Sequence, residues 1–126
     1  SKIKEDVPPA WVDEFGVAPL GIEGVTVSES DGYRAVFFKL TRFPDSISYG
    51  TQETPPGIVI HMTGPAVGDD IPPDRIITAD RLVPAVIVSR TDGNVTLVLE
   101  LSSPEVPPYV VKEMADYLQV RLSPPI

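Results

Sequence analysis

The side chains in this sequence that could carry chemistry are few, because it has one histidine and no cysteine. His61 lies between Ile60 and Met62, in an alternating segment typical of a strand rather than of a loop. A Ser-His-Asp arrangement can assemble from distant residues, but this position favours a surface or half-buried structural histidine. The sequence therefore predicts no enzyme activity and no catalytic residue.

Three acidic residues, Asp69, Asp70 and Asp74, carry oxygen ligands of the kind that calcium prefers. Their spacing does not reproduce the D-x-[DN]-x-[DN]-G loop, which favours a solvated acidic connector instead. The sequence also has no thiolate, no His-rich zinc spacing and no glycine-rich phosphate loop. We therefore expect no metal and no cofactor.

The formal net charge of −8 argues against nucleic acid and anionic membrane surfaces as partners, since such binding normally requires clustered Lys and Arg. No apolar run approaches the roughly 18 residues of a membrane span, so membrane insertion is not expected. The opening residues SKIKED lack the hydrophobic core of a signal peptide. We interpret the sequence as a module of a longer protein.

The elements that would position any site come from a motif that occurs twice. VSESDGYRAVFFKL (27–40) aligns with VSRTDGNVTLVLEL (88–101) at an offset of 61 residues. Residues 48–65 align with 108–125 at an offset of 60, which pairs Tyr49 with Tyr109. Two copies of one supersecondary unit are indicated.

The expected organisation is a lead-in over 1–20 and one domain over 21–126. Within the domain, copy one spans 22–65, a connector spans 66–81 and copy two spans 82–125. The 15 prolines argue against long helices. Trp11 and Phe15 in the lead-in are expected to pack on the domain's own sheet, with partner docking as the alternative.

Each copy contains an Asp-Gly hairpin signal, at Asp31-Gly32 and at Asp92-Gly93. A type I′ turn there places Val27 opposite Val36 and Val88 opposite Leu97. The inward, apolar positions would then be Val25, Val27, Val36, Phe38 and Leu40 in copy one, and Val86, Val88, Leu97, Leu99 and Leu101 in copy two.

The outward positions of these hairpins are Thr26, Ser28, Ala35, Phe37 and Lys39 in copy one, and Ile87, Ser89, Thr96, Val98 and Glu100 in copy two. Among them Phe37, Ile87 and Val98 are expected to be exposed. Either the chain's own lead-in and loops or a ligand would cover them. Arg34 is expected to pair with Glu29 across the first hairpin.

Each copy continues with a short strand near Tyr49 or Tyr109 and a closing strand, at Ile58–Thr63 or Leu118–Ser123. The predicted fold is all-β, a sandwich of two similar, roughly four-stranded sheets with internal pseudo-symmetry, one sheet from each copy. Ile76-Ile77 in the connector would add a crossing strand. A short helix over 110–117 is the alternative for the strand near Tyr109.

Three segments carry a family resemblance: PPGIVIHMTG (55–64), in which an apolar strand follows proline, and DGYRAVFFKL and DGNVTLVLEL, in which one follows the hairpin glycine. The first resembles the P-x-R-L-V-I-D-L-x-G strand of the AMIN domain, and the other two resemble that family's G-x-x-R-V-V-L-D-L element. RLVPAVIVSR (81–90) resembles the entry to its second hairpin, and the resemblance covers 22–122. It implies a β-sandwich that is a non-enzymatic module of the bacterial cell envelope, found in periplasmic amidases and type IV pilus secretins and associated with binding peptidoglycan.

The expected function is therefore a periplasmic module that binds peptidoglycan and localises a larger protein. Aromatic and aliphatic side chains would contact sugar rings, while hydroxyls and charges would bond amides and carboxylates. One candidate face comprises Ser28, Phe37, Lys39 and His61, and the other Ser89, Thr96, Val98 and Arg121.

The sequence departs from the family pattern at its polar positions. Ala35 and Thr96 stand at the family's arginine, and His61 and Arg121 stand at its acidic position. The second hypothesis is accordingly a protein–protein interaction module of a secretin or envelope assembly, docking through the same faces or by strand addition, without direct glycan binding. A third, an enzyme, requires a concave pocket in which His61 meets a nucleophile and a carboxylate.

Overall fold

The computed structural model describes residues 20–30, 32–64, 69–114 and 117–123. Within these ranges the alternating apolar residues form strands, and no helix is present. The strands are β1 (Ile22–Ser30), β2 (Tyr33–Leu40), β3 (Ser46–Glu53), β4 (Pro56–Thr63), β5 (Ile71–Ile77), β6 (Ala85–Thr91), β7 (Asn94–Glu100), β8 (Tyr109–Met114) and β9 (Tyr117–Leu122).

These strands form two antiparallel sheets. The four-stranded sheet has the order β1-β2-β9-β8, and the five-stranded sheet has the order β3-β4-β7-β6-β5. Apolar residues from the two sheets share one core. The all-β sandwich expected from the sequence is confirmed.

The prediction that each copy supplies its own sheet is wrong. Each sheet joins a hairpin of copy one to a hairpin of copy two, as β1-β2 with β9-β8 and as β3-β4 with β7-β6. The chain crosses between sheets after β2 and again after β7, through segments 41–45 and 101–108 that both contain proline. A proline-containing crossover replaces the tight turn that would have kept consecutive strands in one sheet.

The pairing between copies obeys the same symmetry as the sequence. In the four-stranded sheet Val36 lies opposite Val120. The offsets of 61 and 60 residues that align the copies carry this pair onto Leu97 and Ile60, which lie opposite each other in the five-stranded sheet. Internal pseudo-symmetry therefore extends from the motif to the register between strands.

Both hairpins have the expected register. Val27 lies opposite Val36 and Val88 lies opposite Leu97. Asp92 and Gly93 have φ of 51° and 84°, as a type I′ turn requires. Gly32 has φ of 82°, while Asp31 lies outside the described residues.

The core lies on the inward faces of both sheets. Its fully buried members include the expected Val36, Phe38, Leu97 and Leu99. Ile58, Ile60 and Met62 of β4 and Leu118, Val120 and Leu122 of β9 complete the two central strand pairs. Val25, Val27 and Val88 also pack against this core but are only half-buried, because β1 and β6 lie at or beside the sheet edges.

The outward positions are less exposed than expected. Phe37, Ile87 and Val98 are half-buried, and Ala35 is 3% exposed. Ala35 is small and lies in a central strand opposite Arg121, whose guanidinium extends over the ring of Tyr33. Neighbouring side chains therefore cover part of this surface. The expected packing of Trp11 and Phe15 lies outside the described residues.

The helical alternative near Tyr109 is wrong, since residues 109–114 form β8, an edge strand that pairs with β9. The connector strand is longer than Ile76-Ile77 and forms β5, the edge of the five-stranded sheet. Pro72 and Pro73 lie in β5 where its register shifts, as is common for edge strands. The closing strands begin earlier than expected, at Pro56 and Tyr117.

Candidate functional site

The outward surface of the four-stranded sheet, which we call the cationic face, is the strongest candidate site. It is built by alternation along β1, β2, β9 and β8, since side chains of one parity point to one side of a sheet. Its rows are Gly24, Lys39, Tyr117 and Met114; Thr26, Phe37, Gln119 and Lys112; and Ser28, Ala35, Arg121 and Val110. Tyr33 extends the face beyond Ala35 on β2.

Aromatic rings orient two of the cations on this face. The guanidinium carbon of Arg121 lies 4.2 Å from the centroid of the Tyr33 ring. The Nζ of Lys39 lies 5.7 Å from the centroid of the Tyr117 ring. Both distances are within the range of cation–π attraction, so the charges are held close to the sheet surface.

The rings also form a small apolar platform. Phe37 and Tyr117 pack edge to face, with centroids 6.2 Å apart and an interplanar angle of 85°. Together with Thr26 and Met114 they line a shallow, mostly apolar cleft of about 430 Å³. This size is within the range of small-ligand sites, although the cleft is open. Met114 and Tyr117 are also among the exposed large hydrophobic residues, at 44% and 39%.

The charge of the cationic face is opposite to that of the protein. Lys39, Lys112 and Arg121 are its charged residues, and none of the outward positions named above is acidic. The whole chain carries a net charge of −8. The face is therefore a local positive surface on an acidic protein, and it favours an anionic or carboxylate-bearing ligand.

The outward surface of the five-stranded sheet has a different character. One row across it is polar and consists of Ser48, His61, Thr96 and Ser89. His61 Nδ1 lies 3.1 Å from the hydroxyl of Thr96. The next row is largely apolar and consists of Gly50, Val59, Val98 and Ile87, with Arg75 at its end.

The charged groups near this apolar row are already paired. Arg75 Nη2 donates to Glu100 at 2.8 Å. The hydrogen bonds and the charge of Glu100 raise the pKa of Arg75 above its ordinary value. This surface offers hydroxyls and one imidazole but no unpaired charge among its described outward positions.

The structure regroups the eight candidate residues of the sequence analysis. Ser28, Phe37, Lys39 and Arg121 share the cationic face. His61, Ser89, Thr96 and Val98 share the surface of the five-stranded sheet. Compared with the expected faces, His61 and Arg121 have changed places. The cause, which we call the strand exchange, is that each closing strand pairs with the hairpin of the other copy. His61 lies on the closing strand β4 and Arg121 on the closing strand β9.

The aromatic, charged and large apolar members of the cationic face that sequence reasoning missed include Tyr33, Lys112, Met114 and Tyr117. Tyr33 could have been found from its spacing of two from Ala35 on the same strand. Tyr117 has the parity of Arg121 and could have been found in the same way. Lys112 and Met114 were obscured because their segment also fits a helix, in which side chains follow a different period.

The surroundings of His61 differ from those of a catalytic base. In the described strands, the row of His61 and the rows on either side of it carry no carboxylate that could orient the imidazole. His61 itself is exposed on a regular strand. The residues brought closest to it are hydroxyls, which suit hydrogen bonding to a ligand better than proton transfer.

The acidic connector is used in local structure. Asp70 accepts a hydrogen bond from the backbone N–H of Asp92, at 3.0 Å. The backbone carbonyl of Asp69 accepts one from Arg90, at 2.9 Å. Among the described residues, no group of three or more His, Cys, Asp or Glu side chains is arranged to hold a metal ion.

In the described ranges, no helix is long and apolar enough to cross a membrane. Comparison of the chain with protein-family models, with curated proteins and with solved structures finds no match. The outward faces are therefore the structural basis for a proposal about function.

Proposed function

We propose that this protein is a non-catalytic, periplasmic module that binds peptidoglycan through its cationic face and localises a larger envelope protein. The observation that carries the proposal is the pairing of rings and cations on one face, Tyr33 with Arg121 and Tyr117 with Lys39. The resemblance of the hairpins and closing strand to the AMIN domain points to the same function.

The chemistry of the face matches that of the bacterial wall. Sugar rings present C–H groups that pack against aromatic and aliphatic side chains such as Phe37 and Tyr117. Wall peptides present carboxylates and amides, which the cations and the hydroxyls of Thr26 and Ser28 can bond. The face has no described acidic position that would repel those carboxylates.

The test is sedimentation with purified, insoluble peptidoglycan, carried out at low and at moderate salt. We expect the protein to sediment with the wall in a saturable manner, and more strongly at low salt because part of the attraction is ionic. A chain left wholly in the supernatant at both salt concentrations would contradict the proposal.

A second candidate function is docking of an envelope protein by strand addition, and the edge strand β3 favours it. β3 contains no proline or lysine, and its pairing with β4 has no register shift. In contrast, β5 at the other edge of the same sheet has both a register shift and two prolines. An unprotected edge of this kind is a template for another strand.

The two functions are separated by the position at which a ligand is contacted. A photo-crosslinking side chain at Ser48 of β3 would label an envelope protein if strand addition operates. The same group at Thr26 of the cationic face would label wall fragments if peptidoglycan binding operates. Labelling of a protein from Ser48, with no retention on the wall, would favour the second function over the first.

A further inference from the structure

The three cations of the cationic face are separated rather than clustered. Lys39 lies four residues along β2 from Ala35, the residue opposite Arg121. At the strand rise of about 3.3 Å per residue, the backbones of Lys39 and Ala35 are about 13 Å apart, and Arg121 lies one strand further across the sheet. Lys112 lies on β8 opposite Gln119, and so diagonal to Arg121. One small anion cannot contact all three, whereas a chain with carboxylates at intervals can.

The guanidinium of Arg121 is placed to bind a carboxylate. Its carbon lies over the Tyr33 ring, 4.2 Å from the ring centroid. The N–H groups of a guanidinium point from the edge of its plane, in the fork that matches a carboxylate. Among the described residues neither Arg121 nor Lys112 forms an ion pair with a carboxylate. These two cations therefore have donors to offer to a ligand.

The overall charge restricts the kind of anion. A net charge of −8 repels a continuous polyanion such as a nucleic acid or a polyphosphate over long range. Isolated carboxylates on an otherwise neutral scaffold have a lower charge density and can approach a local positive face. The stem peptides of peptidoglycan have this distribution, since free carboxylates alternate with amide bonds and apolar side chains.

We infer that the cationic face recognises the free carboxylates of peptidoglycan stem peptides, with Arg121 and Lys112 as the specificity-determining residues and the Phe37–Tyr117 platform as a less selective contact. This inference rests on the proposed function and deepens it. It predicts that the module distinguishes wall material with free carboxylates from wall material in which they are amidated.

The experiment compares native peptidoglycan with peptidoglycan whose carboxylates have been converted to amides by carbodiimide and ammonia. Binding to native material is expected to exceed binding to amidated material by at least about fivefold, the upper range for one exposed ion pair. Arg121→Gln and Lys112→Gln should each reduce binding to native material by up to about fivefold, and should reduce binding to amidated material little. The matched control is Arg81→Gln, an exposed arginine outside the face.

The outcomes distinguish failure of the inference from failure of the proposed function. Equal binding of the wild type to native and amidated wall would overturn the carboxylate inference and leave the proposed function standing. Absence of sedimentation with native wall would overturn the proposed function and the inference with it. Competition by polyphosphate as effective as that by a soluble stem peptide would also overturn the inference, since charge alone would then govern binding. Unchanged thermal unfolding of the variants ensures that the comparison reports binding.

Discussion

Tyr49 and Tyr109 occupy the same position in the two copies and contact each other edge to face, with ring centroids 6.0 Å apart and an interplanar angle of 72°. Tyr49 lies on β3 and Tyr109 on β8, the edge strands of different sheets. Contact between equivalent residues is expected close to a two-fold axis. The pair therefore connects the two sheets at one side of the sandwich.

This contact predicts that the folded protein loses stability at alkaline pH. Partial burial, and to a smaller extent the charge of Tyr49, raise the pKa of Tyr109 above its ordinary value. The pKa of Tyr109 is higher in the folded state than in the unfolded state. The contribution of Tyr109 to the free energy of unfolding is therefore complete below about pH 10 and is lost as the pH rises through the folded-state pKa. Urea unfolding at pH 8 and near pH 11 should show a smaller alkaline loss of stability in Tyr109→Phe than in the wild type. An equal loss in both would contradict this assignment.

A second prediction concerns the contact between Arg34 and Asp80. Arg34 Nε is buried without a hydrogen-bond partner and lies 3.4 Å from Asp80 Oδ1, while Asp80 Oδ2 accepts the N–H groups of Leu82 and Val83 at 2.9 Å. Asp80→Ala would leave these donors unpaired and would leave the mostly buried Arg34 with only the exposed Glu29 as its partner. We expect a loss of about 3 kcal/mol in the free energy of unfolding, measured with urea.

Glu29 provides the matched control for this cluster. It also contacts Arg34, at 3.3 Å, but its side chain is 72% exposed, against 15% for Asp80. Glu29→Gln should therefore cost less than about 1 kcal/mol, as is typical of exposed ion pairs. Similar losses for the two variants would show that burial does not determine the strength of this cluster.

A third prediction isolates backbone conformation in the first hairpin. Gly32 has φ of 82°, and a Cβ built on it meets no atom within 4 Å. Gly32→Ala should destabilise the protein by about 1–2 kcal/mol, because the left-handed conformation is unfavourable for alanine. Gly50→Ala is the control, since a Cβ there also meets no atom but φ is not in that region. If Gly32→Ala were as well tolerated as Gly50→Ala in thermal unfolding, the turn would not require glycine.

The hairpins could be predicted from the sequence because their register depends on local chemistry. Asp92-Gly93 fixes a two-residue turn, and the turn alone places Val88 opposite Leu97. The partner of β2 could not be predicted in this way. Ile60 and Val120 are equivalent, similar side chains, so the apolar pattern of β2 accepts either closing strand. Crossovers decide the choice, and they depend on the path of the whole chain.

The candidate site shares this limitation. Each outward residue of a hairpin was placed correctly by alternation, but the neighbours supplied by β9 and β8 depended on the strand exchange. Arg121 consequently lies beside Ala35, and Tyr117 beside Lys39, rather than on the opposite side of the molecule. A local sequence pattern cannot predict a face that is composed of both copies, although the residues of that face follow the correct period within every strand.

The last prediction tests whether the aromatic platform of this composite face contributes to binding. Tyr117 packs on Phe37 and lies under Lys39, so Tyr117→Ala removes an apolar contact and releases one cation from its ring. Binding to purified peptidoglycan should weaken about tenfold, which corresponds to about 1.4 kcal/mol. Phe43→Ala is the matched control, because Phe43 is also an exposed ring, at 52%, but lies in the crossover 41–45 outside the face. Equal weakening in the two variants would mean that exposed rings act nonspecifically, whereas weakening in Tyr117→Ala alone would assign the contact to the cationic face.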